Sequence, residues 1–311
     1  MTVETASTIV RPTVSPEDIG PGESPAPAAH RASLSPSRAA DFKTCPLLYR
    51  YRSIDRLPEQ PTSDQARGTL VHAVLERLFD LPAAERTPAA AATLVEPEWI
   101  RLSTEHGELS TLFGAAEDEG RAEFLASAQD LLTGYFSVED PRRLAPAERE
   151  SLVTTEVDEG RLLLRGYVDR LDISPGGDLR VVDYKTGGAP REAFEARALF
   201  QLKFYALVLW RTRGVAPKAL RLLYLKDAEA CDYHPDTEEL VRFERTLIAL
   251  WAAIERATEA RDFRPKPSRL CGWCAHQALC PAFGGTPPPF PVREAEPTAA
   301  EEAAAPADLD M

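Results

Sequence analysis

A short acidic stretch in the middle of the chain, GYVDRLDISPGGDLRVVDYKTG (residues 166–187), contains residue types that could perform hydrolysis at a metal ion. If the stretch forms a hairpin centred on Gly176, Asp169 and Asp183 are equidistant from the turn and lie opposite each other. Because side chains alternate along a strand, Asp183 and Lys185 share one face. The pattern therefore predicts two carboxylates and an ammonium group at one point.

Two facing carboxylates repel each other unless a positive charge lies between them. Mg²⁺ and Mn²⁺ prefer such oxygen ligands, and a bound ion can activate a water and stabilise a phosphoryl oxygen. A neighbouring lysine can orient the water or stabilise the developing negative charge. This is the chemistry of phosphodiester hydrolysis. The alternative is an ordinary charged surface hairpin with a salt bridge, and Asp172 and Asp178 fit that description in either case.

Strand and helix patterns on both sides of this stretch supply the frame that must position it. The predicted strands cover residues 151–157, 161–173, 179–186 and 219–227. The predicted helices cover residues 67–81, 192–213 and 239–262, with a further run of helices across 82–148. Apolar residues recur at helical spacing in the helices, and turn sequences separate the strands. The order predicts a mixed α/β core with helical additions.

The composition limits the class of protein. The chain has 311 residues, of which 44% are hydrophobic, so it can form a real core. The net charge of −13 argues against a nucleic-acid partner at first sight, but part of it lies at the two ends. Residues 1–32 and 285–311 lack apolar periodicity and are predicted to be a disordered arm and a disordered acidic tail, which leaves a folded domain at 33–284.

No stretch approaches the roughly 20 apolar residues of a membrane span, and the N-terminus lacks the basic start and apolar segment of a secretory signal. The expected location is therefore the cytoplasm, with no membrane partner.

The five cysteines follow a pattern that predicts a metal site. Four of them are Cys45, Cys271, Cys274 and Cys280, and the last three have the spacing C-x2-C-x5-C. In a cytosolic chain such spacing favours metal binding over disulfides. The four could hold a 4Fe–4S cluster or Zn²⁺, and three of them could hold Zn²⁺ with His276. Spacing alone favours zinc. Cys231 belongs to no pattern and is expected to be an ordinary residue.

Four segments in order resemble the PD-(D/E)XK nuclease superfamily and, more narrowly, the RecB-family exonucleases. GYVDRLD followed by VVDYKTG resembles the family's Asp and D-x-K core, GTLVHAVLE its upstream histidine helix, and QLKFYALVL its Q-x-x-x-Y helix. The resemblance spans roughly residues 33–284. It implies a restriction-endonuclease-like fold, with a mixed central sheet flanked by helices and a helical insertion at about 82–148.

The resemblance also implies roles for individual residues. The implied Mg²⁺ or Mn²⁺ ligands are His72, Asp169, Asp183 and the carbonyl of Tyr184, and the implied catalytic residues are Asp169, Asp183, Lys185, Gln201 and Tyr205. Gln201 and Tyr205 are four residues apart and share a helix face, which by pattern alone is only the polar edge of a helix. Related nucleases often carry an acid near Glu156, and Glu76 could orient His72, but the sequence fixes neither role.

One branch of the RecB family resembles this chain in its cysteines. In that branch, which includes CRISPR adaptation nucleases and a subunit of bacterial helicase–nucleases, one N-terminal cysteine and three C-terminal ones hold a 4Fe–4S cluster. The chain matches all four positions, so the resemblance favours iron over zinc. It implies a structural cluster that ties the start of the domain to its end.

These observations predict a metal-dependent DNA exonuclease that acts on single-stranded DNA in repair or recombination. Two basic stretches with aromatic residues, 50–56 and 261–274, are expected to bind the strand beside the cysteines, unless they are scattered surface charge. The alternatives are a non-catalytic DNA-binding or assembly subunit and a CRISPR-type nuclease. The chain contains no G-x-x-x-x-G-K-[ST] loop, so ATP-driven unwinding would have to come from a partner helicase or repair complex.

Overall fold

A six-stranded mixed sheet forms the centre of the structure, a computed structural model that describes residues 32–113, 117–189 and 195–291. The strands are β1 (Ser33–Leu34), β2 (Glu148–Val157), β3 (Leu162–Ile173), β4 (Leu179–Lys185), β5 (Ala219–Tyr224) and β6 (Glu229–Tyr233). Along one edge, β3 pairs with antiparallel β2. Along the other edge it pairs with β1 near its start and with β4 near its end. This arrangement leaves a gap beside the middle of β3, and β4 continues the sheet through β5 and β6.

Helices cover both faces of the sheet. They are α1 (Pro36–Thr44), α2 (Pro46–Tyr49), α3 (Ser63–Leu78), α4 (Pro88–Glu105), α5 (Glu117–Val138), α6 (Glu195–Arg213) and α7 (Thr237–Glu259). One core contains residues of α1, α2, α6 and α7, and the other contains residues of α3, α4 and α5. Neighbouring residues of β4 serve the two cores, with Val181 in the first and Val182 in the second. The predicted fold class, a mixed sheet flanked by helices, is confirmed.

Most predicted elements are present, with two strands missed. β1 has only two residues, and β6 (EACDY) lacks an apolar alternation, so neither carries a strand signal in the sequence. The predicted helical run at 82–148 contains α4 and α5, which pack against α3. The predicted N-terminal arm and most of the predicted tail lie outside the described residues. Within the tail, Phe290 stacks on Phe263 with ring centroids 6.1 Å apart.

Local signals explain two of the helices on which the site depends. α3 begins with a capping box, in which the Thr62 hydroxyl accepts from the Gln65 amide and the Gln65 side chain accepts from the Thr62 amide. α5 crosses the end of β5 so closely that a Cβ at Gly134 would overlap the carbonyl oxygen of Leu225. Only glycine allows this approach. Within the described residues no helix is both long enough and apolar enough to cross a bilayer.

A buried arginine joins the sheet to the α3–α5 layer. Arg170, on β3, is fully buried, and its guanidinium donates to both carboxylate oxygens of Glu139 at 2.8 and 3.0 Å. It also donates to both oxygens of Asp172 and to the Tyr184 hydroxyl at 2.9 Å. The Phe79 ring lies 5.6 Å from its central carbon. A planar group with five donors can satisfy all these partners at once, which an ammonium cannot do.

We expect the substitution Arg170→Met to lower the free energy of unfolding by about 3 kcal/mol or more, because it leaves the buried Glu139 without most of its compensation. Urea unfolding monitored by circular dichroism measures this change. Arg180→Met is the matched control, since Arg180 binds the same Asp172 from a partly exposed position and should cost less than about 1 kcal/mol. Equal losses in the two variants would show that Arg170 is not the central contact.

Candidate active site

The gap beside β3 opens where the β3–β4 ladder ends. The described pairs Leu171–Val181 and Arg170–Val182 confirm the predicted hairpin register around the turn. Arg170–Val182 is the last pair, and the next two residues are Asp169 and Asp183. Instead of continuing the ladder, the Asp169 Oδ2 atom accepts a hydrogen bond from the Tyr184 amide at 2.8 Å. The carboxylate of Asp169 thus takes the place of a backbone acceptor at the fork between the strands.

Glu150 enters the site from the other side of β3. The pairs Arg149–Arg170 and Ser151–Val168 place Glu150 opposite Asp169 across the β2–β3 ladder. Glu150 has a φ of 41°, in the left-handed region that residues other than glycine rarely adopt. Such strained positions cluster at functional sites, and here the departure from strand geometry occurs at the residue beside Asp169.

His72 completes a compact group of donor atoms. Its Nε2–H donates to the carbonyl oxygen of Tyr184 at 3.0 Å. Its Nδ1 lies 3.5 Å from Asp169 Oδ2 and 3.5 Å from Glu150 Oε1. One ligand atom from each of His72, Glu150 and Asp169 can be chosen so that all lie within 4.8 Å of one another. The bond to Tyr184 orients the imidazole and leaves Nδ1 toward the carboxylates. The Tyr184 carbonyl, which was predicted to be a metal ligand, accepts this hydrogen bond from His72.

Asp183 and Lys185 form a separate ion pair next to this group. Asp183 is buried, and its Oδ2 lies 2.6 Å from Lys185 Nζ. Its Oδ1 has no hydrogen-bond partner among the described residues. Lys185 Nζ also donates to Gln201 Oε1 at 2.9 Å. Asp183 therefore lies outside the group formed by His72, Glu150 and Asp169, with one buried oxygen left unsatisfied.

Gln201 and Tyr205, the predicted pair on α6, form a hydrogen bond with each other. Gln201 Nε2 donates to the Tyr205 hydroxyl at 3.0 Å, so Tyr205 holds the amide that accepts from Lys185. Tyr205 itself is buried, and its ring lies where a Cβ of Gly166 would be. Glycine at 166 makes room for this ring. The roles of Gln201 and Tyr205 toward a substrate strand stay predictions.

The site carries an excess of negative charge. Burial and, next in size, the neighbouring Asp183 together raise the pKa of Asp169 to about 7. For His72, burial lowers the pKa, but Asp169, Glu150 and Asp183 outweigh it and bring the pKa to about 9. Both pKa values are raised in a buried site where several carboxylates lie close together. Oxygen-rich donors with one imidazole, and a buried unsatisfied oxygen on Asp183, fit a hard divalent cation.

Sequence analysis missed Glu150 and considered Glu156 instead. Glu156 pairs with Leu163, six residues farther along β2, so it is not the acid beside Asp169. The sequence contains a usable signal for Glu150, namely the turn at residues 158–160, which sets the β2–β3 register. Glu76 lies one turn after His72, and both residues border an open cleft that Glu150 also lines.

The four patterned cysteines come together from the two ends of the domain. Cys45, Cys271, Cys274 and Cys280 border one cavity of about 60 Å³. Cys45 Sγ accepts from the Lys266 amide at 3.4 Å, and Cys271 Sγ accepts from the Ser268 amide at 3.3 Å. Burial raises the pKa of Cys274. Cys231 instead lies in β6, opposite Leu222.

The two basic stretches have different environments. Within 50–56, Tyr51 is buried and its hydroxyl donates to the Leu279 carbonyl at 2.8 Å. Arg52 forms an ion pair with Glu59 at 2.7 Å. Tyr51 and Arg52 are therefore engaged within the fold, and binding of a nucleic-acid strand by this stretch stays a prediction. The second stretch, 261–274, keeps its cations exposed, and these are Arg261, Arg264, Lys266 and Arg269.

We expect the substitution Asp183→Asn to stabilise the protein in EDTA by about 1–2 kcal/mol at pH 8.5, because it removes one of two facing carboxylates. The pKa of Asp169 is higher in the folded chain than in the unfolded chain, so wild-type stability falls as the pH rises through about 7. Below that pH Asp169 binds a proton and the repulsion disappears. The stability gained by Asp183→Asn should therefore be smaller at pH 6 than at pH 8.5.

Urea unfolding at the two pH values measures this difference. Asp178→Asn, at the exposed turn of the same hairpin, is the control and should change stability by less than about 0.5 kcal/mol. A destabilised Asp183→Asn protein at pH 8.5 would show that the pair with Lys185 outweighs the repulsion.

Comparison with known proteins agrees with this geometry. A family model described as the PD-(D/E)XK nuclease superfamily matches residues 33–281. The Gene 69 protein of Mycobacterium phage D29 is 25% identical over 272 residues, which cover 80% of this chain and 96% of that protein. The Gene 69 protein of Mycobacterium phage L5 is 30% identical over 123 residues, which cover 39% of this chain and 40% of that protein.

A solved structure from Eubacterium rectale, described as a candidate exonuclease, shares the fold. It covers 78% of this chain and 87% of its own, with a TM-score of 0.51 at 12% identity. Since the family model spans the sheet, the fork and every residue of the candidate site, the chain belongs to the PD-(D/E)XK nuclease superfamily.

Proposed function

We propose that the protein is a divalent-metal-dependent DNA nuclease of the RecB type that degrades single-stranded DNA from an end, in repair or recombination. The observation that carries the proposal is the convergence of His72, Glu150 and Asp169 beside the Asp183–Lys185 pair. A chain that had kept only a binding role would have no need for three carboxylates in a site that they destabilise. This argument disfavours the alternative of a non-catalytic DNA-binding or assembly subunit.

The residues that would hold Mg²⁺ or Mn²⁺ are His72, Glu150 and Asp169, with the free Oδ1 of Asp183 directed to the same ion after a small adjustment. Bound there, the ion would supply the charge that lowers the pKa of a water and stabilises phosphoryl oxygens. The Tyr184 carbonyl would keep His72 oriented. These assignments use four carboxylate or imidazole side chains that lie on α3, β2, β3 and β4.

Lys185 is the residue that we assign to the attacking water and to the developing negative charge on the phosphoryl group. Its ammonium is held between Asp183 and Gln201, at 2.6 and 2.9 Å. Tyr205 holds Gln201 in turn. Two fixed partners restrict a flexible side chain to one orientation, so the cation is in place before the substrate binds.

We also propose that Cys45, Cys271, Cys274 and Cys280 hold a 4Fe–4S cluster with a structural role. Among the described residues, the only group close enough to share a single ion is His72, Glu150 and Asp169. The support for a shared cysteine site is that all four residues border one cavity. His276, the other zinc ligand considered, is buried with Nε2 2.7 Å from Glu59 Oε1, which disfavours it as a ligand.

We expect Glu150→Gln and Lys185→Ala each to lower the cleavage rate of end-labelled single-stranded DNA in Mn²⁺ by about 10²-fold or more. The matched controls are Glu156→Gln, on the same strand as Glu150, and Lys218→Ala, an exposed lysine at the start of β5. Both controls should cleave at the wild-type rate. The fragment pattern gives the direction of digestion.

Several outcomes would contradict this proposal. Equal cleavage by Lys185→Ala and wild type would mean that the site is misassigned. Absence of cleavage by the wild type, with DNA still bound, would favour the binding subunit. Cleavage of an internal site in circular single-stranded DNA would replace the exonuclease with an endonuclease.

For the cysteine site, we expect anaerobically purified protein to contain about four iron atoms per chain and to absorb broadly near 400 nm. Cys280→Ala should lose this absorbance and melt at a lower temperature, because the cluster joins the two ends of the domain. Cys231→Ala, outside the cavity, is the matched control. Zinc without iron in the purified protein would contradict the cluster assignment.

A further inference from the structure

An exposed apolar pair lies next to the candidate active site and has no part in the core. Tyr167 on β3 is 53% exposed, and its direct cross-strand neighbour Leu152 on β2 is 49% exposed. Single exposed apolar side chains are common on protein surfaces. Here two of them are adjacent and form a small platform, one residue pair away from Glu150 and Asp169.

Tyr167 of this platform borders a cleft that is also lined by two of the candidate metal ligands. Tyr167, His72 and Glu150 border the same open cleft of about 790 Å³, together with residues of α3 and α4. The cleft is wide enough for a nucleotide. An aromatic ring at such a place is available to a ligand that also reaches the carboxylates.

A cation, an aromatic ring and a carboxylate occur at two-residue intervals along β3. Arg165 and Tyr167 are two residues apart and lie on the same face, about 7 Å from each other, and Asp169 follows two residues later. Arg165 is exposed. A cation, an aromatic ring and a carboxylate therefore follow one another at a spacing similar to that of successive phosphates in an extended strand.

The backbone beneath Tyr167 is held firmly from the opposite face of the strand. Gly166 contacts the buried ring of Tyr205, and Val168 is fully buried in the α6 core. The two neighbours of Tyr167 are thus fixed, so the ring is presented from a rigid strand. Ordering such a ring on binding costs little conformational entropy compared with ordering a loop residue.

We propose that Tyr167, supported by Leu152, stacks on an unpaired base of the DNA strand beside the scissile phosphodiester, while Arg165 pairs with the adjacent phosphate. This inference rests on the proposed function and deepens it, because it explains a preference for single strands. Stacking on an aromatic ring requires a base whose face is free. In a duplex that face is already covered by the neighbouring base pair.

The test uses the full chain and oligonucleotides in which one abasic nucleotide is placed at successive positions. We expect Tyr167→Ala to raise KM for single-stranded DNA about tenfold, with a smaller change in kcat, and Tyr167→Phe to restore the wild-type value. For the wild type, an abasic nucleotide at one position should raise KM by a similar factor. For Tyr167→Ala, the same abasic nucleotide should leave KM unchanged. Ile173→Ala, an exposed apolar residue at the far end of the same strand, is the control and should behave as wild type.

The same comparison is repeated as equilibrium binding in a Lys185→Ala background, measured by fluorescence anisotropy with uncleaved oligonucleotides. If the wild type fails to cleave but Tyr167 and the abasic position remain coupled in binding, the proposed function fails and the stacking inference stands. Equal affinities of Tyr167→Ala and its parent, or an equal loss on intact and abasic strands, would overturn the inference. A change from dimer to monomer in Tyr167→Ala would also overturn it, since the platform would then be a contact between copies.

Discussion

Tyr184 connects the parts of this protein through three polar groups of a single residue. Its amide donates to Asp169, its carbonyl accepts from His72, and its hydroxyl accepts from Arg170. The first bond closes the fork where β3 leaves β4, the second fixes a helix side chain at the fork, and the third joins β4 to the buried Arg170–Glu139 network of the α3–α5 layer. Because buried polar groups must be satisfied, these bonds set the position of β4 relative to β3 and α3.

The two charged groups around this residue are compensated in opposite ways. On the Arg170 side, a buried guanidinium is matched by the carboxylates of Glu139 and Asp172, and the network is satisfied within the protein. On the Asp169 side, carboxylates outnumber their partners, the pKa of Asp169 is raised by burial and by Asp183, and an oxygen of Asp183 is unsatisfied. The first arrangement stabilises the fold. The second is unstable alone, which is typical of a site that binds a cation.

The cysteine cavity and the fork share a structural principle, since each brings distant segments together through a few polar contacts. At the cavity, Tyr51 near the start of the domain donates to Leu279 near its end, and Glu59 pairs with His276. These contacts explain why the stretch at 50–56, with its alternating cations and rings, is an internal connection. Composition alone cannot distinguish a surface that binds phosphates from one that binds its own chain.

The sequence by itself determined the β3–β4 hairpin and its register, the helix of His72 and the spacing of the four patterned cysteines. These features depend on local alternation, turn residues and spacing, which are visible along the chain. The tertiary structure decided that the ladder stops before Asp169 and Asp183, that Glu150 lies within reach of His72, that Tyr205 is buried behind Gly166, and that Tyr51 is internal. The reason is physical, because burial and the meeting of strands depend on which segments pack together, and those contacts join residues far apart in the chain.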